Sequence, residues 1–239
     1  MFRRTLQVQL PRRESQSPKG LALLMLLLTI SGCAHRIAFH DTDTSWHYQL
    51  GSEKYDAGLV VVVGPATLDQ IYSFRSAMAG GAHRWDVQTG EMLAQVADVE
   101  FPQMFQHYER TTTYKEPTQG SRRLTLVMDI PDYKFQDFHA TVTVRTIAYG
   151  PNKLPLFEKN YTMEGVSQGG KVFGAGAFGM MSAVRQSSLD AYKKIFEVMR
   201  RDVVQTLSNV LTIAELESAN SKPEAQRLVS ALRLLVESE

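Results

Sequence analysis

The sequence predicts an α+β domain, a mainly antiparallel sheet packed by helices, placed after a lipoprotein signal peptide and a flexible tether. Three observations predict the domain. Residues 57–63 (AGLVVVV) are an unbroken, largely β-branched run. Residues 138–149 (FHATVTVRTIAY) alternate apolar and polar side chains, and residues 189–210 carry an apolar stripe at steps of three and four. The first suits a strand buried on both faces, hence central in a sheet. The second suits a half-buried antiparallel strand. The third suits a helix with one face on a core.

In chain order, the first element is an address. Arg3, Arg4, Arg12, Arg13 and Lys19 precede residues 21–30 (LALLMLLLTI), an apolar run of signal-peptide length, too short to span a bilayer. Ile30-Ser31-Gly32-Cys33 follows directly and resembles a bacterial lipobox. That resemblance implies cleavage before Cys33, a lipid on its sulfur and an acyl chain on its new amine. More than one acyl chain gives stable membrane anchoring where a single one would not. In lipoproteins of this kind an Asp after the cysteine retains the protein at the inner membrane. Ala34 stands there instead, which implies the periplasmic face of the outer membrane. Neither arginine pair is followed by the flanking residues of a twin-arginine signal. Cys33 is the only cysteine, so no intramolecular disulfide is possible. Loss of residues 1–32 leaves 21 basic and 24 acidic residues, a balance of −3. There is no basic field for nucleic acid or anionic lipid.

Residues 33–46 are polar and aperiodic after the cysteine, and are expected to be a lipidated tether. The domain is expected over 47–215. Residues 79–86 (AGGAHRWD) predict a loop. Residues 88–99 predict a helix through Met92, Leu93, Val96 and Val99, with Thr89 as a cap and Pro102 ending it. Residues 108–114 predict an edge strand. Residues 122–130 predict a strand closed by Pro131, and 154–163 return as partner of 138–149 across the turn Gly150-Pro151-Asn152-Lys153. The long helix carries Leu189, Tyr192, Phe196, Met199, Val203, Leu207 and Val210. Ser221-Lys222-Pro223-Glu224 predicts a capping box that opens a last helix within 216–239.

Residues 164–181 (EGVSQGGKVFGAGAFGMM) hold two fingerprints. Gly165-Val166-Ser167-Gln168-Gly169 spells the nucleophile elbow of serine hydrolases, which needs a helix immediately after the serine and a histidine downstream. Glycines follow instead of an expected helix, and the last histidine is His139. A convergent arrangement with His107 or His139 stays open. Gly174-Ala175-Gly176-Ala177-Phe178-Gly179 spells a dinucleotide loop, but the strands before it read as a hairpin rather than a βαβ unit. No cofactor is expected. For metal, His40, Asp41, Asp43 and His47 cluster weakly in the tether, and no H-E-x-x-H or paired Cys/His set exists.

Residues 172–184 are uncharged, apolar and small. Three uses remain: a surface contact made by Phe173, Phe178, Met180 and Met181, a joint whose phenylalanines tuck into the core, or a strand inserted into a membrane. Taken together, the lipobox, the early apolar strand, the helix, the pair FHATVTVRTIAYGPNKLPLFEKNYTMEG, the glycine joint and the final helix SSLDAYKKIFEVMRRDVVQTL resemble small outer-membrane lipoproteins of the YajG type. The resemblance covers residues 57–213. It implies a non-enzymatic periplasmic domain, lipid-anchored and in contact with other envelope proteins, of the kind that serves envelope machines such as the curli-secretion type. The rival readings are a small periplasmic serine hydrolase using Ser167 and a pore-forming lipoprotein inserting its glycine-rich segment.

Overall fold

A computed structural model describes residues 34–40, 43–44, 54–75, 83–116, 122–151 and 154–221. The signal peptide, Cys33, Asp41, His47 and everything after Ser221 lie outside the described residues, so the lipidation site and most of the expected last helix do too.

The α+β class is borne out by helices over mixed sheets. The larger sheet has five strands: β2 (Tyr55–Val63), β5 (Phe105–Thr111), β6 (Arg123–Gln136), β7 (His139–Tyr149) and β8 (Pro155–Glu164), in the order β5-β2-β6-β7-β8. Its longest pairings, β6 with β7 and β7 with β8, are antiparallel, while β2 is parallel to both β5 and β6. Strand β2 is interior, flanked by β5 and β6 rather than in the middle of the sheet, and residues 57–63 are buried throughout as their composition predicts. Leu59, Val61 and Val63 join the main core. Val60 and Val62 are also buried, on the opposite face of the strand. A smaller sheet, order β1-β4-β3, comprises β1 (Ala34–Ile37), β3 (Tyr72–Arg75) and β4 (Arg84–Val87).

Three helices complete the layers: the one-turn α1 (Pro65–Leu68), α2 (Thr89–Glu100) and the long α3 (Gly169–Ser221). Helix α2 lies over β2 and β6, and α3 over β7 and β8. Tyr192, Phe196 and Met199 of α3 are fully buried, and Tyr192 donates to the Thr89 carbonyl at 3.0 Å. Burial pushes the Tyr192 phenol well above its ordinary range, so it stays a donor. At the far side, Lys159 and Tyr161 of β8 both donate to Asp202 at 2.7 Å.

Several expectations are corrected. Residues 33–46 are not a free tether over their described part: residues 34–37 form β1, Ile37 and Phe39 are buried, and Arg185 donates to the Ala38 carbonyl. A parallel strand partner captures the backbone, which hydropathy alone does not reveal. Residues 84–87 are strand β4 rather than loop, with Trp85 fully buried. Thr89 is the first helical residue, not a cap, and its hydroxyl bonds the Gln70 carbonyl. Pro131 does not close β6; it sits at a register shift between Asp129 and Asp132, where a bulge tolerates the missing N–H. Finally, α3 starts at Gly169 and runs to Ser221 without a break in assignment. The glycine run is therefore helix, not a loop or a strand, and the boundary drawn at 215/216 falls inside that helix.

Candidate functional site

The glycine stretch is built from three neighbours: the end of β8, the tip of the β6–β7 hairpin and the first turns of α3. The hairpin tip is Asp137-Phe138, with φ of 48° and 62°. Two consecutive positive φ values are those of the tight primed turn whose twist matches paired strands. An aromatic residue in that region is uncommon and costs free energy, so the packing around it must hold it there. Phe138 is half-buried; its ring lies 5.7 Å from that of Phe173 on α3. The Gln168 N–H donates to the Phe138 carbonyl, and the Ser167 hydroxyl to the Asp137 carbonyl at 3.3 Å.

Each glycine of the false elbow has a packing reason. A Cβ on Gly165 would stand 1.8 Å from the Ser187 carbonyl oxygen, and one on Gly169 would stand 3.2 Å from the Phe138 ring. The contact at Ser187 also shapes the helix. Gly165 and Gly169 are four residues apart, a reach of at most about 14 Å. A straight helix would set Gly169 about 27 Å from Ser187. So α3 bends between them, in the stretch that holds Gly170, Gly174, Gly176 and Gly179, where helices bend most easily.

The four predicted contact residues separate. Phe173 is 71% exposed, as a contact residue must be. Met180 is a correction: it is 1% exposed and belongs to the core, because the helical period turns it toward the sheet with Ala183 and Val184. Met181 is half-buried against the same core. The Phe178 side chain lies outside the described residues. Sequence reasoning missed two residues here: Phe138, whose ring meets Phe173, and Val166, 56% exposed, whose N–H donates to Asp190 and whose neighbour Ser167 bonds the hairpin tip. Phe138 read as the first residue of a strand and Val166 as the variable position of a motif, so neither carried a signal.

The elbow needs a second correction. A helix does follow Ser167 almost at once, contrary to expectation. What is missing is a base on the hydroxyl. His139 Nδ1 lies 3.4 Å from the same Asp137 carbonyl that Ser167 uses, so the two side chains share an acceptor rather than bond each other. In the tether cluster, the Asp43 carboxylate accepts the His40 N–H and pairs with Arg185 at 3.6 Å. Among the described residues no group of three or more His, Cys, Asp or Glu could hold a metal ion, and no helix is long and apolar enough to cross a membrane.

A further cleft borders α2 among the described residues. It holds about 530 Å³ and is lined by Arg36, Asp69, Gln88, Glu91, Gln95 and Arg110 among others. Three of its charges are paired: Arg36 to Glu91 at 2.7 Å, and Arg110 to Asp98 at 2.9 Å.

Exposure of Phe173 makes a direct prediction. Phe173→Ser should change the melting temperature by no more than about 2 °C, since exposed substitutions cost within ~0.5 kcal/mol. A loss of 10 °C in a thermal melt would put the ring in the core. No protein-family model matches the chain, and no curated protein matches it.

Proposed function

We propose that the chain is a non-enzymatic, lipid-anchored binding or assembly module of the bacterial envelope, held at the periplasmic face of the outer membrane through Cys33. One observation carries the reading: Ala34, the residue that would follow the acylated cysteine, is already paired with Arg84 in strand β1. Cleavage after Ile30-Ser31-Gly32 would keep that whole strand in the mature chain, with the cysteine bonded directly to it. The exposed Phe173 and Val166 support work by contact. The likeness to YajG-type lipoproteins agrees with it. The non-enzymatic part is supported by Ser167, whose hydroxyl donates to a backbone carbonyl instead of a base.

The test is Cys33→Ser in the full chain. It should leave an unprocessed precursor or a soluble periplasmic product, and normal processing with unchanged membrane fractionation would sink the anchor. Pull-down of the lipidated protein from membranes then identifies its protein partners. A fluorophosphonate probe should leave Ser167 unlabelled; covalent labelling there would restore the hydrolase reading.

A further inference from the structure

Strand registers place Ala34, the half-buried Phe138 and the exposed Phe173 at one end of the molecule. Along β3 and β6, Tyr72 meets Tyr133 with ring centroids 5.0 Å apart, and two residues on, Phe74 meets Phe135 at 5.4 Å. The two strands therefore advance together, and Arg75 comes level with Gln136, the last residue before the Asp137-Phe138 tip. Arg75 pairs across β4 with Arg84, and Arg84 pairs with Ala34. Ala34, Arg84 and Arg75 thus form the row of the small sheet nearest the hairpin tip. Strand and sheet spacings put Ala34 on the order of 20 Å from Phe138, and residue 33 is bonded to it across one peptide unit of about 3.8 Å.

We infer that this end of the molecule rests on the phospholipid bilayer. Phe173, Phe138 and Val166 enter the boundary between headgroups and acyl chains beside the lipid on Cys33. The inference builds on the anchored reading above. The occupant is a bilayer rather than a protein because Ala34 is held in β1, and the cysteine that would carry the acyl chains is bonded directly to it. Aromatic rings suit that boundary, and a second apolar contact strengthens a lipid anchor. The contact is apolar first, in keeping with the net charge of −3. Arg84 is paired with Asp86 at 2.8 Å, whose carboxyl it holds below the usual range by hydrogen bonding, and Arg75 flanks it. Asp137 at the tip limits the depth to the headgroup layer, since a carboxylate stays hydrated.

Because Cys33 is the only cysteine, the acylated protein accepts a nitroxide at one introduced thiol. Val166→Cys, Phe173→Cys and Leu154→Cys would each be labelled in the full lipidated chain, in phosphatidylethanolamine–phosphatidylglycerol vesicles. Leu154 is 62% exposed in the turn between β7 and β8, at the opposite end of β7 from the tip and about 35 Å away. Collisions with a water-soluble nickel chelate should fall about fivefold or more at 166 and 173 on reconstitution and stay unchanged at 154, as for an interfacially buried surface. Equal aqueous exposure at all three sites would overturn the inference and leave the patch to a protein partner. The mass of the labelled protein separates this from failure of the anchor. One nitroxide plus acyl chains keeps the anchor; two nitroxides mean that Cys33 is not acylated. In that case the unacylated Cys33→Ser chain is run in the same assay, and protection of 166 and 173 still supports the bilayer contact.

Discussion

Gly165→Ala should destabilise the domain by roughly 3 kcal/mol or more, a drop in melting temperature of about 6–12 °C for a chain of this size. The added methyl would have to occupy space 1.8 Å from the Ser187 carbonyl oxygen and 2.5 Å from the Ser187 hydroxyl. Neither can yield cheaply. The hydroxyl accepts the Ala140 N–H at 2.8 Å, and the Gly165 N–H itself donates to the Ala140 carbonyl. Pushing Ser187 away therefore strains the join between β7, β8 and α3, and breaks bonds that are buried. Gly174→Ala, in the same stretch, should do the opposite. Nothing lies within 4 Å of a Cβ there, and the residue is helical and exposed. Alanine should gain about 0.5–1 kcal/mol through helix propensity and a less flexible unfolded chain. Thermal or urea unfolding of the two variants checks both signs. If Gly165→Ala melted like the parent, the packing account of the G-x-S-x-G pattern would fail.

Phe39→Ala should cost about 3–5 kcal/mol, in the range of a buried aromatic truncation. In a solvated tether the same change would fall within ~0.5 kcal/mol, so this one variant separates the two descriptions of residues 34–40. Phe39 is 4% exposed and meets the Tyr192 ring edge-on at 6.0 Å, with an interplanar angle of 86°. Tyr192 in turn holds the start of α2 through Thr89. Loss of Phe39 leaves a cavity beside that hydrogen bond, and the neighbouring Ile37 is fully buried as well. Urea unfolding with an unchanged midpoint would return the segment to a tether. It would also remove the reason for keeping Cys33 close to the body.

By itself, the sequence determined the α+β class, the interior position of residues 57–63, the β7–β8 hairpin and the core stripe of the long helix. Those features rest on side-chain periods of 2 and 3.6, which are local properties of the chain. The proposed address also rests on local composition, in the run that ends at Cys33. Tertiary structure decided the rest. Residues 34–37 became a strand because β4 offered a parallel edge, and Trp85 became core because β4 sits between β1 and β3. Such pairing is non-local and leaves no mark on a short polar segment. The glycine run became helix although each glycine lowers helix propensity, and around its start Gly165 and Gly169 are required where Ser187 and Phe138 press close. At the candidate site, sequence reasoning found Phe173 but placed Met180 beside it on the surface; only the phase of α3 against the sheet separates them. Phe138 joined the site through a turn with two positive φ values, a backbone state its residue types do not announce. Local chemistry thus named the elements. Contact between distant segments chose which side chains face water, because burial depends on what packs opposite and not on the neighbours in the chain.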